Sequence, residues 1–164
     1  MEETRIELLQ RMPVFGGIRA DVLDYLLGLC PIVVVRAGEF FFREGAAADS
    51  MFVLEAGKVA VLKTWQNEEY VLHALGPGDC FGEMALMDLM PRSAAVRATA
   101  DCRAILVSAG SLLKVYERDL EQFAMIQMNM GREVSRRLRE ADERLFRARM
   151  GIPGADQQHS FHTG

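Results

Sequence analysis

Two side chains in the stretch Phe81 to Ala98, FGEMALMDLMPRSAAVRA, can do chemistry together: the carboxylate of Glu83 and, nine residues on, the guanidinium of Arg92. Arg92 presents a planar fork of donors that can grip two phosphate oxygens, through charge-assisted bonds worth about 1.5–3 kcal/mol each. Glu83 cannot serve the same anion, because like charges repel, but it can accept a hydrogen bond from a neighbouring hydroxyl. Gly82 lets the backbone approach a ligand with no side chain in the way. A turn of helix over Glu83 to Met87 would add free N–H groups and a positive dipole end. Together these residues describe a pocket for a sugar phosphate, with a ribose hydroxyl on Glu83. A Gly-Glu or a Pro-Arg pair alone is ordinary turn punctuation and solvated charge, so the specificity lies in their spacing.

The stretch resembles the phosphate-binding cassette of the cyclic-nucleotide-binding domain family, shared by kinase regulatory subunits, cyclic-nucleotide-gated channels and catabolite activator regulators. The shared pattern is FGE, a short apolar helix, then PRSAAVRA. It continues upstream in Arg36 to Leu62, RAGEFFFREGAAADSMFVLEAGKVAVL, with turn glycines Gly38, Gly45 and Gly57, and covers most of the chain from Leu8 to Arg149. The resemblance implies that Glu83 takes the ribose 2′-hydroxyl and Arg92 the cyclic phosphate. Phe81, Gly82, Met84, Ala85, Ser93 and Ala94 complete the implied ligand-binding set. The implied ligand is a cyclic nucleotide, cAMP ahead of cGMP, with no metal and no catalysis. Ser93 does not decide between the bases, because members of both preferences carry a hydroxyl there. The polar pair that the activators use on the base would fall near Ala141 and Asp142, a departure that leaves Asp142, Arg139 or another lid residue to meet the base.

The chain has 164 residues and half of them are apolar, enough for one domain with its own core. A net charge of −4 argues against a protein that wraps nucleic acid. Between Arg132 and Arg149 seven arginines face four acids, so this segment carries +3 and the remainder −7. It reads as a solvated helix face with pairs such as Glu140–Arg144 and Glu143–Arg147, or as a basic docking surface for an acidic partner. Cys30, Cys80 and Cys102 are odd in number and lie in apolar runs, so they read as buried, reduced thiols of a cytoplasmic protein. There is no signal-like leader, no apolar run of membrane-spanning length and no CxxC or Cys/His cluster for a metal.

Several elements must position the pair. Ile6, Leu8, Leu9 and Met12, then Val22, Leu23, Leu26 and Leu27, recur at helical spacing on either side of Pro13 and Gly16-Gly17, predicting two short helices around a turn. From Ile32 the texture changes to β-branched and aromatic runs punctuated by glycine, which predicts a sandwich or roll. The loop Thr64 to Glu69 is the expected hairpin tip, and His73 reads as an ordinary strand residue. Ala94 to Ala100 and Arg103 to Val107 read as closing strands, with Ser108 and Ser111 as caps for a helix from about Leu112. A long helix over Leu120 to Met150 carries the stripe Val134, Leu138, Ala141, Leu145, Ala148, which must pack on the roll, a second copy or a partner. Met125, Met128 and Met130 at its start read as core, or as a surface that slides when ligand arrives.

The predicted fold is mainly β with flanking helices: a double-stranded β-helix, or jelly-roll-like β-roll, with short N-terminal helices and a long C-terminal helix. The resemblance implies a cyclic-nucleotide-binding domain over 1–150, divided into N-terminal helices (1–29), the roll (30–109) with its cassette (81–98) and C-terminal helices (110–150). A flexible tail follows at 151–164, where His159 and His162 read as solvent-exposed. Met1 and the helix after it read as a natural start. The expected function is a non-catalytic cytoplasmic sensor that relays occupancy through its C-terminal helix to a protein partner or homodimer, with no membrane insertion and no nucleic acid. The alternatives are a scaffold or dimerisation module whose pocket has degenerated, and a catabolite-activator-type regulator truncated before its helix-turn-helix.

Overall fold

The computed structural model describes residues 4–152. The N-terminal segment holds α1 (Arg5–Gln10), a 3-10 turn (Pro13–Phe15) and α2 (Ala20–Leu29). Thr4 and Glu7 form a capping box at the start of α1, satisfying donors that the first turn leaves orphaned. Proline opens the 3-10 turn, where its missing N–H costs nothing.

Eight strands follow: β1 (Ile32–Val35), β2 (Phe40–Phe42), β3 (Ser50–Ala56), β4 (Val59–Trp65), β5 (Glu68–Leu75), β6 (Cys80–Phe81), β7 (Ala95–Ala98) and β8 (Cys102–Ser108). They make two antiparallel four-stranded sheets, in the orders β1-β8-β3-β6 and β2-β7-β4-β5. The short helix α3 (Glu83–Asp88) lies between β6 and β7, and α4 (Ala109–Arg118) and α5 (Leu120–Met150) close the described chain. Mostly β, with flanking helices and one long C-terminal helix, this is the expected fold class.

Strand β3 explains the imperfect alternation of the β-rich runs. Met51 and Val53 pack with α2, α4 and α5, among Leu23, Leu26, Val115 and Ile126, whereas Phe52 and Leu54 pack inside the roll with Phe81, Val96 and Ala104. The sheet is covered on both sides, so this strand carries no polar face. Inside the roll, Phe41, Phe52 and Phe81 form an aromatic cluster with ring centroids 4.9 to 5.4 Å apart.

The first half of α5 is fastened to the N-terminal segment. Asn129 donates to the carbonyls of Val14 and Gly16, and the Arg19 backbone N–H donates to Gln122 Oε1. Met130 is buried and Met125 packs on the core, but Met128 is exposed. Of the apolar stripe, Leu138 and Leu145 are more than half exposed, at 60% and 53%, and Phe146 and Met150 beside them are also exposed.

Several local expectations are corrected. The β4–β5 tip is not the loop 64–69. The strands run on to Trp65 and resume at Glu68, joined by Gln66 and Asn67, both left-handed (φ 50° and 65°), as a two-residue hairpin requires. The closing strands are Ala95–Ala98 and Cys102–Ser108. Helix α4 starts at Ala109, not near Leu112. Ser108 caps it by accepting from the Ser111 N–H, so Ser111 lies inside the helix and only Ser108 is its cap. The pair Glu143–Arg147 forms at 3.0 Å, but Glu140–Arg144 does not, because Arg136 takes Glu140 and Arg144 reaches strand β5. Cys30, Cys80 and Cys102 are buried free thiols. Gly151 caps α5 with φ 66°, and residues 153–164 of the expected tail, with His159 and His162, lie outside the described residues.

Candidate functional site

The segment between β6 and β7 folds around Gly82. Its φ of 81° is left-handed, and a Cβ there would lie 2.5 Å from Arg92 Nη1, so both conformation and space call for glycine. The turn aims the chain into α3, which starts at Glu83. Leu89, also left-handed, ends α3 and brings the chain back through Pro91 to Arg92.

All eight residues expected at the site line one cavity of about 440 Å³, an ordinary size for a small-ligand pocket. Phe81, Gly82, Glu83 and Ala85 come from the β6–α3 junction, with Met84 half exposed at the rim, and Arg92, Ser93 and Ala94 come from the segment before β7. Arg92 is only 6% exposed. Its Nη1 donates to the Gly82 carbonyl at 3.0 Å and its Nη2 to Ser50 Oγ at 3.4 Å, with the guanidinium 4.0 Å above the Phe42 ring. Arg92 Nε is sealed from water with no partner, and among the described residues no carboxylate forms an ion pair with Arg92. Burial lowers its pKa, and the charges of Asp49 and Glu83 only partly oppose this. A buried cation whose positive charge is bonded only to neutral groups is an electrostatic demand for an anion.

Glu83 is equally buried, at 3% exposure, but it is not free. Arg137 of α5 donates to its Oε1 at 2.7 Å and also to the Cys80 carbonyl. The carboxylate expected to await a hydroxyl is thus shared with the long helix. Burial, and next the Glu83 charge, push the Cys80 thiol up to about 12, so it stays protonated and inert.

The far side of the cavity was not legible from the cassette. Strand β4 gives Val61 and Lys63, β5 gives Leu72, His73 and Leu75, and α5 gives Val134, Arg137, Leu138 and Ala141. Ala141 does face the site. Asp142 and Arg139, the candidate base contacts, do not line it, since each directly follows a residue of the face that carries Arg137, Leu138 and Ala141 and so projects about 100° away from it. The available signal was Arg137 itself, a charge one residue before Leu138 on the apolar stripe. His73 is a strand residue, as expected, yet it also lines the cavity. Among the described residues no cluster could hold a metal, and no helix is long and apolar enough to cross a membrane.

The family model for the cyclic nucleotide-binding domain matches residues 32–119. The chain is 30% identical over 131 residues to the cyclic AMP receptor protein of Thermus thermophilus, covering 79% of this chain and 59% of that one. It is 32% identical over 129 residues to the cAMP-dependent protein kinase type II regulatory subunit of Drosophila melanogaster, covering 71% of this chain and 33% of that one. The crystal structure of the Thermus thermophilus catabolite activator protein superposes with a TM-score of 0.71 at 30% identity, over 81% of this chain and 61% of that one. The chain therefore spans about three fifths of the length of the Thermus relative. The match runs from β1 to the start of α5 and includes both halves of the cassette. This chain belongs to the cyclic nucleotide-binding domain family.

Proposed function

We infer that the protein is a non-catalytic cytoplasmic sensor that binds a cyclic nucleotide in the roll, cAMP ahead of cGMP, and relays occupancy through α5. Arg92 pairs with the cyclic phosphate, Glu83 accepts from the ribose 2′-hydroxyl, and Phe81, Gly82, Met84, Ala85, Ser93 and Ala94 shape the floor around them. The observation that carries this reading is the buried Arg92 guanidinium, which lines a cavity and is bonded only to a carbonyl, a hydroxyl and an aromatic face. The preference for cAMP rests on the names of the Thermus and Drosophila relatives. The relay is supported by Arg137, which ties α5 to the carboxylate the sugar would use, so ligand and helix compete for or share Glu83. The exposed Leu138, Leu145, Phe146 and Met150 are the surface through which α5 reaches a partner protein or a second copy. Calorimetric titration of folded, nucleotide-free protein with cAMP and cGMP tests the reading. Saturable heat with cAMP and weaker heat with cGMP is expected, and no heat with either would overturn it.

A further inference from the structure

His73 lines the cavity but has no part in the cassette. It shares the more covered face of β5 with Val71 and Leu75, opposite Val61 of β4. Arg144 of α5 reaches across to this strand, with Nη1 3.0 Å from the Leu72 carbonyl oxygen and 3.1 Å from His73 Nδ1. A guanidinium has donors only, so Nδ1 must be the acceptor. That leaves a neutral imidazole with its proton on Nε2, because an imidazolium would set N–H against N–H. Nε2 is not among the sealed, unpartnered polar atoms, which are Arg92 Nε and Arg137 Nε, and among the described residues it makes no hydrogen bond with the protein.

We propose that Arg144 fixes His73 as the neutral Nε2–H tautomer and that this N–H donates to a ring nitrogen of the bound purine, so that β5 reads the base only while the C-terminal half of α5 is docked. The proposal rests on the reading that a cyclic nucleotide fills the cavity. The ring nitrogens N3 and N7 accept in adenine and guanine alike, so the contact adds affinity for a purine without choosing between the two. It couples ligand to helix by a route separate from Glu83.

The surrounding charges favour the neutral ring. Arg144, Arg137 and Arg136 approach from α5, opposed by Glu140 of the same helix. Lys63 of β4 and Glu83, Asp88 and Arg92 of the cassette segment line the same cavity. Burial first, then Arg144, lowers the His73 pKa below its ordinary value. The Arg144–Nδ1 contact is therefore favoured at neutral pH and is lost as pH falls through the lowered pKa, when Nδ1 gains a proton and the charged ring repels Arg144, while Nε2 keeps its N–H in either state.

Nitrogen-15 NMR of the His73 ring tests the tautomer without ligand. A bare Nδ1 and a protonated Nε2 are expected in the wild type, with mixed tautomers in Arg144→Met; a protonated Nδ1 in the wild type overturns the proposal. Calorimetry with cAMP, cGMP and their 3-deaza and 7-deaza analogues tests the base contact. One deaza position is expected to cost about five- to ten-fold in the wild type and nothing further in His73→Phe. Equal penalties in both proteins, or none in either, overturn the base contact. If folded wild type binds neither cAMP nor cGMP, the parent reading falls and the base contact with it, while the NMR result still decides the tautomer.

Discussion

Arg92 and Gly82 are a single device. The guanidinium lies where a side chain on residue 82 would have to be, and the left-handed turn that glycine permits is what leads into α3. Gly82→Ala combines a strained φ with a collision and is expected to lower stability by about 1–2 kcal/mol and to weaken cAMP binding at least ten-fold, read by thermal unfolding and calorimetry. Unchanged affinity would show that the position of Arg92 does not matter to binding. Glu83→Gln is expected to weaken cAMP more than 2′-deoxy-cAMP, and equal losses would remove its assigned hydroxyl. These residues were legible in the sequence because a cassette is local: glycine, carboxylate, proline and arginine lie within one short segment, and their spacing carries the geometry. His73 and Arg137 were not, since the contact between Arg137 and Glu83 spans 54 residues and only the packing of α5 creates it.

Helix α5 has two unlike halves. Gln122, Ile126, Asn129 and Met130 are buried against the N-terminal segment and the core, whereas beyond Glu133 the contacts to the roll come from Arg137, Arg144 and the apolar side chains over the cavity. Local opening should follow that division, because few buried apolar contacts mean low local stability. Arg137→Gln is expected to raise hydrogen exchange across 134–150 while leaving 120–130 protected, as mass spectrometry would read. Uniform exchange in both proteins would show that the ion pair does not hold the helix down. The existence and length of α5 were legible from its uninterrupted periodicity, as were the glycine-punctuated strands. The tip at Gln66–Asn67 was not, because the composition of 64–69 fits a loop, and only the register of β4 on β5 shows the strands continuing to a two-residue turn. Helix α4 began earlier than expected for a similar reason: two serines three apart both satisfy cap chemistry, and the fold uses only the first.

For the molecule as a whole, two layers of antiparallel sheet enclose an aromatic core, helices cover one face, and α5 runs from the second core, between those helices and the sheet, to the cavity. The stripe on the second half of α5 was expected to pack on something; in this chain it roofs the cavity with Val134, Leu138 and Ala141 and then runs on uncovered through Leu145. What covers Leu145, Phe146 and Met150 was therefore not legible from the sequence, because periodicity reports that a face is apolar and not what meets it. If the helix relays occupancy to a second copy, sedimentation velocity should show an assembly state that shifts with cAMP, and an invariant state would favour a scaffold. The buried Arg92 guanidinium, bonded only to a carbonyl, a hydroxyl and an aromatic face, is the group on which ligand binding turns. Its direct test is calorimetric titration of wild type and Arg92→Leu with cAMP, both shown to be folded. Saturable heat in the wild type, weakened about 30- to 100-fold in the variant with thermal stability unchanged or raised, is the expected result. Equal affinities in the two proteins would contradict it.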